Sequence, residues 1–563
     1  MAGGDEDDGA EEVAFSFEGR RVTARRGQSL AAALIAAGER TLRQTAKGQP
    51  RSVFCGMGVC HDCLVEIDGA PNRRACMEKA TPGLTVRRQP ALARLDGVAP
   101  AAPGAVQVAR PDVLVVGGGA GGLEAALAAA SAGAGVLVLD ERPAPGGQYY
   151  KQAVGAAPLD AQQRAGTALV DRARAAGAEL RMGVEVWGAF EGPVLAAAEG
   201  DAALIVRPRA VVIATGAYER PLMVPGWDLP GVMTTGAAQT LWRTYRTLPG
   251  ARVTVAGSGP LNLQVALEVA RGGARLAAVC EAAPAPFTRL GSAARMAAAD
   301  PALAARGALM LAGLAARGVR LRHGTVLERI ERSAGSLAVT LAGAHRRSTL
   351  LADAVLMNDG FQPANEILRL LGCAMDWDAR LAQLRPVRAA DGETSVAGIY
   401  AVGDCCGLGG APAAAAEGAI AGAAAARSLG FAAPDPQGAR VALRRARAFQ
   451  DALWRLYGHP PHDLSAVPPE TVFCRCEEVT KGELDAALAE AGDIGAVKRA
   501  TRIGMGRCQG RYCGPALARL LAERRHEALT ERSFFAPRAP IKPVRIATVA
   551  AAQAAIDALG STD

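Results

Sequence analysis

The chain lacks several things at once. Phe, Trp and Tyr together make up only 4% of it, too few for a β-sandwich core, whereas abundant alanine and glycine suit close-packed helices and nucleotide-binding turns. No basic n-region followed by an apolar h-region opens it, so secretion is not expected. Long hydrophobic runs are also missing. The most apolar stretches, 121–139 and 397–428, are built of Ala and Gly and interrupted by Glu124, Asp404 and Glu417, which excludes membrane spans. Without a signal peptide, the 12 cysteines are expected to be reduced or metal-bound rather than paired as disulfides. The 6 histidines form no H-E-x-x-H and no triad-like group. The formal net charge is +8, but the arginines are scattered, which indicates a solvated surface rather than a nucleic-acid footprint. A cytoplasmic protein with no nucleic-acid partner and no transmembrane segment is the expectation.

What is present is a series of modules, as 563 residues exceed what one core can organise. Residues 1–12 read as a disordered acidic tail. Residues 13–92 alternate strand-like runs with one helical run and a cysteine group, an α+β ferredoxin-like domain. Residues 93–110 are a Pro/Ala-rich linker. A strand–glycine turn–helix–strand unit, DVLVVGGGAGGLEAALAAASAGAGVLVLDE, starts at 112, and a similar one, RVTVAGSGPLNLQVALEVARGGARLAAVCE, starts at 252. The predicted fold class is therefore multidomain α/β, with two Rossmann-like dinucleotide-binding domains of the two-domain flavoprotein type. Residues 111–245 form the first part of the FAD-binding domain, 246–349 the NAD(P)-type domain, and 350–432 the FAD-binding return. Residues 433–469 are a linker and helical segment, 470–530 a small helical cluster domain, and 531–563 an extended tail.

Gly117, Gly119 and Gly122 satisfy G-x-G-x-x-G where a strand meets a helix. The first glycine permits the tight turn, the second lets backbone approach a pyrophosphate, and the third brings helix against strand. Asp140, ending the next strand, is placed for a ribose hydroxyl pair, with Glu141 as the fallback. The runs AVVIATG (210–216, with Thr215 and Gly216) and GIYAVGD (398–404, with Gly403 and Asp404) are strands entering turns. Segments of this kind complete the flavin site in two-domain flavoproteins, which points to FAD, with Asp404 on its ribityl chain. The second turn keeps Gly257 and Gly259, but Asn262 replaces the third glycine. Cys280 stands in the position of Asp140, with Glu281 following. NAD(P)H or another nucleotide in that domain is left open. No C-x4-C follows the first turn and no C-x2-C lies in the second unit, so the redox disulfide of glutathione- or thioredoxin-reductase-like enzymes is not available. Cys280, Cys373, Cys405 and Cys406 read as small core residues.

Two cysteine groups remain. Cys55, Cys60, Cys63 and Cys76 are spaced C-x4-C-x2-C-x12-C, the first three in a glycine-punctuated loop, as in plant-type [2Fe–2S] sites. Zinc is the competing occupant, although it favours two C-x2-C pairs and this loop has one. Cys474 and Cys476 form C-x-C, and after a gap of 31 residues Cys508 and Cys513 form C-x4-C. FCRCEEVTKGEL and KRATRIGMGRCQGRYCGP resemble the bacterioferritin-associated-ferredoxin type of [2Fe–2S] domain, where helix starts and amides offset cluster charge. Arg475, Arg507 and Arg511 could contribute. The separation of the two groups in the chain suggests stations at opposite ends of a flavin-containing relay.

The order of modules, and the pieces SVFCGMGVCHDCLVEIDG, LDERPAPGGQ, ATGAYERPLMVPGWDLPGV, VAGSGPL and GMGRCQGRYCGP, resemble the flavin/iron–sulfur α-subunit of heteromeric amine and imino-acid dehydrogenases. That group includes opine oxidase, D-hydroxyproline and proline dehydrogenase, and hydrogen cyanide synthase subunits. The likeness spans roughly 13–545, with the first cluster module fused on. The flavin part is also similar to the α-subunit of heterotetrameric sarcosine oxidase. The resemblance implies FAD held by the residues above together with Gly146, Gly147 and Gln148, and two [2Fe–2S] clusters on the eight cysteines. It further implies a D-amino-acid-oxidase-like partner subunit that oxidises the amine, an unspecified electron acceptor, and no catalytic acid or base in this chain. Two other readings compete: a self-sufficient NAD(P)H-dependent reductase, and a non-enzymatic iron–sulfur carrier.

Overall fold

The computed structural model describes residues 11–92, 104–344 and 346–560. The expected acidic tail lies outside them up to residue 10, as does the 93–103 part of the expected linker. The N-terminal module is a five-stranded mixed sheet in the order Arg20–Arg25, Glu12–Phe17, Thr85–Arg88, Leu64–Ile67, Ala70–Arg74. The helix Leu30–Ala36, capped by the Ser29 hydroxyl on the Ala32 amide, buries six of its seven residues against that sheet's core.

The first dinucleotide domain centres on the strand Val113–Val116. Val136–Asp140 and Glu179–Met182 lie in parallel on one side, and Ala210–Ile213 and Ile399–Ala401 on the other. Both expected return segments therefore join the sheet of the strand that carries the first glycine turn, 210–213 beside it and 399–401 one strand further out. The helix Ala120–Ser131 packs against Gly410–Ser428 with Gly418 and Gly422 on the backbone of Gly121 and Ala125. This close approach is what the Ala/Gly richness of those runs serves. The second domain is likewise parallel, in the order Val232–Thr234, Ala354–Asp359, Arg252–Ser258, Arg275–Glu281, Leu321–His323.

Three expectations shift. Val232–Thr234 and the following helix Thr235–Tyr245, placed by sequence in the first domain, belong with the second, as does Ala354–Asp359 from the expected return. Val106–Ala109, within the expected linker, pairs in parallel with Ala202–Val206. Ile546–Gly560, within the expected extended tail, is a helix whose Ala551 and Ala552 pack on Ala196, Ala203 and Ile205. Among the described residues, no helix is long and apolar enough to cross a membrane.

Candidate dinucleotide site and cysteine junction

The first glycine turn is built as its spacing requires. A Cβ on Gly122 would lie 1.8 Å from the Gly117 carbonyl oxygen, so no larger residue fits while that turn is kept. The Asp140 carboxylate accepts from the Gly118 amide at 2.6 Å and the Arg142 amide at 2.8 Å, and burial raises its pKa despite those donors. Glu141 is turned away and paired with Lys542 of the C-terminal tail, which leaves Asp140 as the acid at the turn. The Gly146 amide donates to the Gly118 carbonyl, and a Cβ on Gly147 would sit 2.7 Å from the Gly119 Cα. Two glycine segments thus leave a cradle that side chains would fill, which fits a pyrophosphate. Gln148 reaches the Met57 sulfur at 3.9 Å. Thr215 donates to the Ala364 carbonyl at 2.5 Å, and the Gly216 carbonyl accepts from the Ala364 amide. Asp404 accepts from the Gly409 and Gly410 amides at the start of the 410–428 helix, and Gly403 donates to Glu417. Cys280, Cys373, Cys405 and Cys406 are all buried in the core.

The second turn departs from expectation in a physical way. A bulge between Val253 and Thr254 in the pairing with the 275–281 strand skips Ala277 and advances the register. Val255 pairs with Val279, so Glu281, not Cys280, comes opposite Gly257 as Asp140 comes opposite Gly117. Glu281 accepts from the Ser258 hydroxyl at 2.6 Å and the Gly259 amide at 3.0 Å. Asn262 turns inward, donating to the Asn358 carbonyl and accepting from the Thr235 hydroxyl. The segment after the helix Gln437–Leu456 covers this turn. The Ser258 hydroxyl lies 3.2 Å from the Tyr457 carbonyl, Trp454 stands over Gly259, and His459 pairs with Asp359 at 2.9 Å. The Gly259 amide and the Ser258 hydroxyl are thus both bonded to Glu281, and the 454–459 segment lies against the turn.

The cysteines of each group meet two by two. Cys55 contacts Cys60, and Cys63 contacts Cys76. Burial raises the Cys55 thiol pKa, but the Cys60 thiol and the amides of Met57, Cys60 and Val59 bring it down to about 7. In the other group Cys474 meets Cys513, and Cys476 meets Cys508. The Cys513 thiol and the amides of Gly504, Glu477 and Cys476 outweigh burial and bring Cys474 to about 7. Cys513 opens the helix Cys513–Arg525, whose N-terminal dipole favours a thiolate. Among the described residues, no three His, Cys, Asp or Glu side chains converge where they could hold a single metal ion. Two thiolates on each of two irons is the demand of a [2Fe–2S] cluster, whereas zinc draws four ligands to one point. Both sets fit the cluster.

The two sets adjoin each other, which corrects the expectation of opposite ends. Cys60 and Asp62 line one small cavity together with Cys474, Arg475, Cys476, Cys508, Tyr512 and Cys513. Arg475, inside the C-x-C, donates to Asp62, inside the C-x2-C, at 2.8 and 2.7 Å. It also donates to the Trp227 carbonyl at 2.6 Å, and its guanidinium lies 3.9 Å from the Phe54 ring centre. Phe54 meets Trp227 and Tyr512 edge-on at 5.6 and 5.4 Å. Glu478 reaches back to the Thr45 hydroxyl and the Lys47 amide. Arg511 pairs with Glu366 and Tyr218, and Arg507 with Asn72. On its other side the first loop faces the dinucleotide domain. Gly56, Met57, Cys76 and Met77 line a cleft with Arg142, Gly147 and the buried Lys151. The 55–60 loop also rests on the start of the 235–245 helix, where the Thr234 amide donates to the Phe54 carbonyl. Asp62, Trp227 and Tyr512 escaped the sequence reading. The one available signal was an acid inside a cluster loop.

Two parallel dinucleotide sheets, one with a complete glycine cradle, joined to two four-cysteine modules, define a flavoprotein-type oxidoreductase that carries two [2Fe–2S]-type domains. The chain belongs to the pyridine nucleotide-disulphide oxidoreductase family, whose model matches residues 111–423. Residues 10–91 match the 2Fe-2S iron-sulfur cluster binding domain and 472–523 the BFD-like [2Fe-2S] binding domain. The chain is similar to an opine oxidase subunit of Agrobacterium tumefaciens, 33% identical over 78% of this chain and 91% of that protein. It is also similar to the HcnB subunit of hydrogen cyanide synthase from Pseudomonas aeruginosa, 29% identical over 77% and 96%. The alpha subunit of sarcosine oxidase from Rhizobium meliloti is 25% identical over 93% of this chain, which spans 57% of that longer protein. In fold, L-proline dehydrogenase from P. horikoshii superposes with a TM-score of 0.73 at 21% identity, covering 96% of this chain and 98% of that one.

Proposed function

We propose that this chain is the electron-transferring subunit of a heteromeric dehydrogenase or oxidase acting on a CH–NH group. Cys55, Cys60, Cys63 and Cys76 hold one [2Fe–2S] cluster, and Cys474, Cys476, Cys508 and Cys513 hold the other. Gly117, Gly119, Gly122, Asp140, Gly146, Gly147, Thr215 and Asp404 hold the FAD. When bound, a flavin can take two electrons at once and release them singly, the conversion needed between amine oxidation and a one-electron cluster. The chain's own contribution is to hold these groups close together, with thiolates favoured by amides and helix starts. For the substrate class, the relatives' names give an opine and sarcosine, and the family resemblance adds D-hydroxyproline, proline and glycine. Oxidation of the amine itself falls to a D-amino-acid-oxidase-like partner subunit. The relatives are themselves named as subunits, and the acids at both glycine turns of this chain are engaged by amides.

The observation that carries this reading is the adjacency of the cleft at Gly147, the first cysteine set and the second. The test is metal and flavin analysis of purified chain. About four irons and one flavin per chain are expected, two irons for each cluster. Stoichiometric zinc with iron near zero would overturn the proposal.

A further inference from the structure

Resting on that reading, we propose that the two cysteine sets form a single junction through which one electron passes directly between the clusters, and that Arg475 and Asp62 set its electrostatic balance. Such a step oxidises the donor cluster by one electron and reduces the acceptor by one, with no bond or proton changed. The flavin of the proposed function is the reductant.

The two sets share one small cavity, and the side chains of both loops close around it. Phe54 precedes the ligand Cys55, Tyr512 precedes the ligand Cys513, and their rings touch edge-on at 5.4 Å. Tyr512 lines the cavity shared by Cys60 of one set and Cys474, Cys476, Cys508 and Cys513 of the other. Arg475 and Asp62 are both almost fully buried, and each sits between two ligands of its own set. Asp62 lines the shared cavity beside Cys60 of one set and Cys476 of the other. Arg475 lies between Cys474 and Cys476 in the chain and lines the same cavity as Cys60. Each residue therefore faces both clusters, with opposite sign. A buried pair of this kind contributes little net stability, because desolvation offsets the attraction, so its presence at the junction calls for another role. The close fit makes that role positional and electrostatic. The guanidinium is clamped by Asp62, the Trp227 carbonyl and the Phe54 face.

The test has two parts on the intact, cluster-loaded chain. Electron paramagnetic resonance of the fully reduced wild type should show magnetic interaction, with broadening or splitting beyond the sum of the two half-reduced spectra. A simple sum of two isolated signals would overturn direct exchange. Potentiometric titration then reads the charges. Arg475→Met should make both clusters harder to reduce, Asp62→Asn should make both easier, and Arg475→Lys should return toward wild type. A tenfold change in the reduction equilibrium corresponds to about 59 mV for a one-electron couple. Shifts of both variants in the same direction, the mark of a merely structural role, or no shift at all, would overturn the assignment of Arg475 and Asp62. The wild-type spectrum needs no variant, so a variant that fails to load iron does not shield the proposal. Zinc in place of iron in the wild type would instead bring down the functional reading beneath it.

Discussion

The second cysteine set rests on one glycine, and Gly506→Ala probes it. A Cβ at position 506 would stand 2.1 Å from the Cys476 Cβ, 3.2 Å from its sulfur and 3.2 Å from a Glu477 carboxylate oxygen. Non-bonded carbons settle at about 3.5–4.0 Å, so roughly 1.5 Å must be found by moving one ligand loop against the other. Overpacking on this scale costs about 1–3 kcal/mol. Here the cost falls on the contact of Cys476 with Cys508, and at 1.4 kcal/mol per tenfold it weakens cluster retention by roughly 5- to 150-fold. Iron and acid-labile sulfide per chain, with flavin counted in parallel, are the assay. Iron should fall from about four to about two while flavin and the signal of the first cluster persist. Gly492→Ala, in the same module with nothing within 4 Å of its new methyl, serves as the neutral control. A Gly506→Ala protein with undiminished iron and both cluster signals would refute the assignment of this loop.

Gly122→Ala should strip flavin from a chain that keeps its iron, since its methyl would meet the Gly117 carbonyl at 1.8 Å; wild-type flavin stoichiometry on denaturation would contradict this. NADH or NADPH added anaerobically without a partner should leave the flavin oxidised, because Glu281 and the 454–459 segment occupy the second turn; rapid bleaching would restore the self-sufficient reductase reading. The His459–Asp359 contact should make protection of that segment pH-dependent. Burial disfavours the imidazolium, but Asp359 outweighs it, so the folded pKa is raised, and Asp359 itself is lowered. The stabilisation is therefore complete below the ordinary histidine value of about 6.5 and is lost as pH rises through the raised one. Protection of the 457–462 amides, taken relative to the intrinsic exchange rate at each pH, should be greater at about pH 6 than at about pH 8, and His459→Gln should flatten the difference. An unchanged profile in the variant would assign the dependence elsewhere.

Motifs whose meaning is local were legible in the sequence. The first glycine turn, the two strand returns and the short cysteine spacings each declare their geometry locally, and the parallel pairings of 113–116 with 210–213 and the junction of 213 with 401 follow from them. What was hidden depends on register or on distance in the chain. A single skipped residue, Ala277, moves Glu281 into the place that spacing gave to Cys280. Proline-rich FFAPRAPIKP masked the helix that follows at 546–560. The domain boundary near 245 was misplaced because the 232–234 strand is three residues long and lacks a period of its own. The junction joins residues 413 apart, and no local pattern carries such a contact.

The junction also recasts the basic composition. Arginine scattered along the chain reads as a solvated surface, yet Arg43, Arg51, Arg475 and Arg511 are all buried around the two cysteine sets. Arg43 pairs with Asp62, Arg51 with Asp228 and Glu478, and Arg511 with Glu366. Thiolate-ligated clusters are anionic, and two of them side by side repel in a medium where charge is poorly screened. A full neutralising shell of acids would strengthen that repulsion, and bare arginines would be too costly to bury. Pairs anchored by shared acids solve both difficulties. Asp62 serves Arg43 and Arg475 at once, so one carboxylate holds two cations. On the proposed reading, these arginines, scattered in sequence and gathered in space, would offset the charge of two clusters standing next to each other.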